Sequence, residues 1–156
     1  MPRPKTLPET YDFCLADGQV KACQDIDEQK IRSLLENAST NIESAEILSK
    51  NLARDAKGWM NVYTLYYEAL RICAEALLLL VNIKSNNHQC FFAALCIKYA
   101  ALDLDWNFFE RIRTKRNGVN YYGQQITFSD WKSIDVQMKL YIFTLREEIE
   151  KGIKTR

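Results

Sequence analysis

A chain of 156 residues, 47% hydrophobic and 26% charged, has the length of one domain and a composition rich enough to bury a core. Lys and Arg number 21 against 20 Asp and Glu, and a net charge of +1 excludes both a protein that coats nucleic acid by bulk charge and an acidic tail. Five Gly and three Pro are too few for a many-turned β-sandwich, a collagen-like chain or a disordered linker.

The first 22 residues are polar, carry all three Pro and show no sustained periodicity, so they read as an N-terminal arm whose Tyr11, Phe13 and Leu15 dock on the body. No apolar run there resembles a secretory leader. Residues 23–156 read as the body. Asp25-Ile26-Asp27-Glu28 offers a helix start, and Ile31, Leu34, Leu35, Ala38, Ile42, Ala45, Leu48 and Leu52 follow at steps of three and four, one stripe of an α-helix. Gly58 marks the break. A second helix is expected from about 59 to 83, with the stripe Trp59, Val62, Tyr63, Tyr66, Leu70, Cys73, Leu77 and Leu80. Its run from Ala76 to Val81 is too short to span a bilayer and reads as a segment buried on all sides.

Lys84-Ser85-Asn86-Asn87 is a polar connection, and a third helix carries Phe91, Phe92, Leu95, Cys96 and Tyr99. A fourth runs from about 103 through Phe109 and Ile112 to Arg116, with Asn117-Gly118 as its stop and a loop to Phe128. Ser129 is placed as the cap of a last helix whose stripe is Trp131, Ile134, Met138, Tyr141, Leu145 and Ile149. With period 3.6 throughout and no segment alternating by two, the sequence predicts an all-α, single-domain antiparallel bundle of about five helices. The stripe from Trp59 to Leu77 should meet the stripe from Ile134 to Leu145 in one core, since no sheet is there to cover either.

Cys14, Cys23, Cys73, Cys90 and Cys96 are odd in number and irregular in spacing, and three of them fall in apolar helical stretches. This predicts free thiols acting as small hydrophobes and a reducing, cytoplasmic setting. With no C-x-x-C and a single His, His88, a zinc site is not expected. Asp103 and Asp105 lie two apart, so they do not face each other on a helix and read as first-turn residues. The tyrosines at 63, 66 and 67 and the aromatics Trp106, Phe108 and Phe109 read as core.

The most unusual segment is Arg111-Ile112-Arg113-Thr114-Lys115-Arg116-Asn117-Gly118-Val119-Asn120-Tyr121-Tyr122-Gly123, with four cations within six residues at a helix end. Such cations favour the helix macrodipole, and Arg also grips phosphate bidentately while exposed Tyr rings stack on bases. Taken in order, a long first helix, Tyr66-Tyr67-Glu68-Ala69-Leu70, then Ser85-Asn86-Asn87-His88, then Arg116 to Gly123 resemble the HEPN domain (higher eukaryotes and prokaryotes nucleotide-binding), over roughly residues 27–151.

That resemblance implies a helical, usually homodimeric domain, often encoded with a nucleotidyltransferase, with no metal or organic cofactor. Many members are metal-independent ribonucleases of toxin–antitoxin or defence systems that use R-x4–6-H, the two copies meeting near that motif. Arg116 matches the motif Arg and Asn117 its polar neighbour, and Tyr121 stands where the His is expected. A His with pKa ~6.5 exchanges protons at neutral pH, whereas a Tyr near ~10 stays protonated and is a poor base. The resemblance therefore assigns the catalytic positions to Arg116 and Tyr121, and the contacts to nucleotide or RNA to Arg113, Arg116, Asn117, Tyr121 and Tyr122. The expected function is phosphate binding with cleavage weak or lost. The alternatives are an active ribonuclease that uses Tyr121 or His88, and a non-catalytic partner of a nucleotidyltransferase. His88 is read as a helix-start residue whose ring nitrogens bond nearby backbone, with a distant acid/base that folds into the basic site as the alternative.

Overall fold

The computed structural model describes residues 5–155, so residues 1–4 of the expected arm and Arg156 lie outside the described residues. The chain runs α1 (Leu7–Ala16), β1 (Val20–Ala22), α2 (Glu28–Asn51), α3 (Trp59–Leu79), β2 (Ile83–Ser85), α4 (His88–Lys98), a 3-10 turn (Ala100–Leu102), α5 (Trp106–Tyr122), α6 (Phe128–Lys132) and α7 (Asp135–Lys154). It is an all-α domain with one two-stranded antiparallel ribbon, in which Val20 faces Ser85 and Ala22 faces Ile83.

The helices α2, α4 and α5 start where a short polar side chain satisfies an orphan N–H, whereas α3 and α7 start without a side-chain cap. Asp27 accepts from Lys30 at 3.0 Å, Asn87 from Cys90 at 3.0 Å and Asp105 from Asn107 at 2.9 Å. Nearly every face of α3 is buried, as its composition requires. Trp59, Tyr66, Leu70, Cys73 and Leu77 of α3 share one core with Ile134, Met138, Tyr141 and Leu145, as the two stripes predict. Tyr66 stacks on Trp131 with centroids 4.8 Å apart, and Phe92 on Phe109 at 4.7 Å, joining α3 to α6 and α4 to α5.

Five differences from the sequence expectation are physical in origin. The arm is a helix and a strand, because Thr6 and Glu9 form a capping box that starts α1 without an apolar stripe to announce it. Period-two alternation is invisible in strands of three residues, which explains the unforeseen ribbon. The second long helix stops at Leu79, leaving Leu80 half-buried and Val81 exposed, so the 76–81 run is buried only over its first part. The fourth helix passes through Asn117-Gly118 to Tyr122 and is closed by Gly123 at φ +65°, with the N–H groups of Gly123 and Gln124 returning to the Gly118 carbonyl. The last helix divides in two: Thr127, not Ser129, caps α6 through a capping box with Asp130, and α7 starts after Ile134.

The cysteine expectation is corrected too. Cys14 and Cys90 form a disulfide with Cα atoms 5.7 Å apart, while Cys23, Cys73 and Cys96 are free thiols. The pairing links α1 to α4 across 76 positions of sequence, which no local spacing reveals. The expectation of a reducing compartment rested on free thiols and loses that support at this pair. Among the described residues no helix is long and apolar enough to cross a membrane.

Candidate functional site

The entry to α4 is built from its own sequence. Ser85 Oγ accepts the Asn87 N–H at 3.2 Å and donates to the Asn87 carbonyl at 3.3 Å, and Asn87 then caps the helix. His88 is thereby the first residue of α4. The β1–β2 ribbon fixes Ser85 from one side and the Cys14–Cys90 disulfide fixes Cys90 from the other. Across from this entry lies the last part of α5. Glu110 ties the two helices together, accepting from Gln89 Nε2 at 3.0 Å and from Arg113 Nε at 3.1 Å.

Between them opens a cleft of about 320 Å³ lined by His88, Gln89, Arg113, Arg116, Asn117 and Tyr121, with Asn86 and Asn87 at its rim. Four of the five residues expected to contact nucleotide or RNA thus share one cavity. Tyr122 does not line it and is 79% exposed on the outer surface. The cation cluster divides by helical phase: Arg113 and Arg116 face the cleft, whereas Lys115 pairs with Asp130 at 3.5 Å and Arg111 donates to Ser133 Oγ at 3.1 Å.

Arg116 is held from below. Its guanidinium lies over the Tyr67 ring, 5.4 Å from the centroid, and Nη2 sits 3.6 Å from Glu68 Oε1. That separation is long for an ion pair of full strength. Its Nε is buried and has no hydrogen-bond partner among the described residues. Glu68 also accepts from Arg71 Nε at 3.0 Å, and Arg71 pairs in turn with Glu75 at 3.3 Å, so Arg116 shares its carboxylate with a cation that has a second one.

His88 belongs to this site, which corrects its reading as an isolated helix-start residue. Its Nδ1 lies 3.0 Å from the Tyr67 hydroxyl rather than from backbone. Burial drives the Tyr67 phenol far above its ordinary pKa, so it stays protonated. That hydroxyl is fully buried and has no other acceptor among the described residues, so it donates to Nδ1 and leaves the imidazole proton on Nε2. Desolvation first, then Arg71 and Arg116, hold the ring below its ordinary pKa, so it is neutral at pH 7.

Tyr67 was missed as a site residue and His88 was kept only as an alternative, because each taken alone fits a bland role. The only local signal was that the chain's single His stands next to a capping Asn. No protein-family model, curated protein or solved structure matches this chain.

Proposed function

We propose that the cleft between α4 and α5 binds a phosphate of RNA or of a nucleotide, in the manner of a HEPN-like domain whose motif His is replaced by Tyr121. The observation that carries this reading is the convergence of Arg113, Arg116, Asn117, His88 and Tyr121 on one cavity. Arg116 supplies the charge-assisted contact and exchanges the long Glu68 pair for a phosphate oxygen. Asn117, His88 Nε2–H and the Tyr121 hydroxyl add neutral donors, and the exposed Tyr121 ring offers a stacking face to a base.

Titration of labelled single-stranded RNA and of nucleotides against salt, with EDTA present, tests the reading. Arg116→Ala should weaken binding about tenfold or more and lower the salt slope by about one. Tyr121→Phe should weaken it less, since the ring remains. If wild type binds neither RNA nor nucleotide, or if Arg116→Ala leaves binding unchanged, the phosphate reading fails and a purely structural role beside a nucleotidyltransferase takes its place.

A second reading has one observation in its favour, a neutral His88 beside Arg116. In metal-independent cleavage, an imidazole takes the 2′-hydroxyl proton as the 2′-oxygen attacks phosphorus, Arg116 stabilises the phosphorane charge, and the bond to the 5′-oxygen breaks as that oxygen takes a proton from solvent, leaving a 2′,3′-cyclic phosphate. The hydrogen bond from Tyr67 opposes it, because Nε2 carries a proton and must lose it before acting as a base. RNA cleavage by wild type in EDTA, abolished in His88→Ala with binding retained, would select this second reading over binding alone.

A further inference from the structure

The β1–β2 ribbon carries two cations where they repel each other. Val20, Ile83 and Ser85 turn toward the body, so Lys21 and Lys84 lie between them on the outer face, directly opposite each other in the antiparallel register. Like charges directly opposite on paired strands are destabilising, and a ribbon of two three-residue strands is marginal by itself. Both lysines are exposed, and neither has an ion-pair partner among the described residues. A hollow of about 540 Å³ opens beside them, walled by Gly18, Gln19, Lys21, Lys84 and Asn86, with Asp17 as its carboxylate. That carboxylate accepts from Gln19 Nε2 at 3.3 Å, so two unpaired cations stand against one engaged anion. Lys84 also borders a smaller hollow with Lys30 of α2, where the carboxylate of Glu75 is paired with Arg71 at 3.3 Å.

Asn86 joins the ribbon to the cleft, since it lines the hollow and the cleft alike. Lys84 stands four residues before His88, and Ser85 Oγ binds the Asn87 backbone, so the two places hold a fixed relation. We propose that Lys21 and Lys84 form a second phosphate subsite, so that the ligand is a single-stranded RNA whose successive phosphates run from the cleft onto the ribbon. The subsite presupposes the cleft reading and adds to it the length of the ligand. A mononucleotide is served by the cleft alone, with its phosphate at Arg116 and its base at Tyr121. A strand brings a further negative charge to the place where two ammonium groups face each other, and relieves their repulsion as it binds. Lys21 precedes the stretch that resembles the HEPN domain, so this subsite belongs to the N-terminal segment of this chain. The Cys14–Cys90 bond holds that segment against α4.

Binding of a fluorescent single-stranded oligouridylate of about twelve nucleotides to the full chain, measured against salt in EDTA, provides the test. The double variant K21Q/K84Q should weaken binding about fivefold or more and lower the salt slope by about 1.4, two contacts at ~0.7 each. K50Q/K57Q, which removes the same charge at the opposite end of α2, should leave both nearly unchanged. Uridine monophosphate, followed through the imidazole resonances of His88, should bind K21Q/K84Q as it binds wild type. Oligomer binding unchanged in K21Q/K84Q but impaired in Arg116→Ala overturns the subsite, leaves the cleft reading standing and returns the two lysines to blocking edge-to-edge pairing of the ribbon. Equal losses in K21Q/K84Q and K50Q/K57Q overturn the subsite as an effect of bulk charge, and so does a matching loss of mononucleotide binding in K21Q/K84Q. If wild type binds neither ligand, or Arg116→Ala binds both normally, the cleft reading fails and the strand path fails with it.

Discussion

His88 shows how one proton position constrains a whole cleft. With the Tyr67 hydroxyl donating to Nδ1, the imidazole keeps its proton on Nε2, and a protonated Nε2 suits phosphate contact better than proton abstraction. Because His88 is the only histidine, its imidazole proton resonances are unambiguous in an NMR titration. The titration midpoint should fall below the ordinary value near ~6.5, and Arg116→Ala should raise it by removing a nearby cation and part of the desolvation. Stability follows the same sign. A histidine with a depressed folded-state pKa contributes stability that is fully present above its unfolded value near ~6.5 and is lost as pH falls through the folded one. Urea midpoints should therefore drop between about pH 7 and 5 more steeply in wild type than in His88→Gln, and equal slopes in the two proteins would refute the assignment.

Gly123 governs the element that carries the cations. It takes the left-handed conformation at φ +65° and closes α5 after Tyr122, so the final turn holds Asn117 and Tyr121 at the cleft. Gly123→Ala should cost about 1 kcal/mol, because a Cβ opposes the left-handed conformation, and should loosen that turn. Urea unfolding reads the cost, and amide exchange at Asn120 to Tyr122 reads the loosening. The earlier Gly118 has no such role. It lies inside the helix with Gln124 folded over it, where a Cβ would collide with the Gln124 side chain. An Asn-Gly pair is a common helix stop, yet here its glycine serves a close approach and the helix continues. Local chemistry alone does not separate these uses.

For the molecule as a whole, the Cys14–Cys90 bond and the β1–β2 ribbon turn the N-terminal segment into a clamp on α4. Closing a loop across 76 positions limits the unfolded chain, which by the chain-entropy relation corresponds to about 4.5 kcal/mol as an upper figure. Reduction, or Cys14→Ser, should lower the unfolding free energy by about 2–4 kcal/mol. It should also expose α1 to proteolysis before the rest of the bundle. Identical melting of oxidised and reduced protein would contradict the clamp. Two of the free thiols are inert by comparison: burial pushes the Cys73 and Cys96 thiols up to about 12, so neither is a thiolate at neutral pH.

The helical class and most of the core were legible in the sequence, because a 3.6-residue stripe needs only neighbours along the chain to declare a buried face. The stripe from Trp131 to Ile149 is buried at every position named for it. Arg113, Arg116, Asn117 and Tyr121 were legible for the same reason, since one stretch of helix carries them all. Relations between distant segments were decided only by the tertiary structure. His88 meets Arg116 because α4 and α5 pack side by side, and Cys14 finds Cys90 because α1 lies against α4. Tertiary packing also parted the cations, turning Arg111 and Lys115 toward α6 and leaving the cleft to the other two. It left Val136, Leu140 and Phe143 without cover, although their hydrophobicity equals that of residues in the core. Period and composition specify which residues share a face of a helix. Which faces meet, and which stay open, depends on how the helices pack, and this is a property of the whole chain.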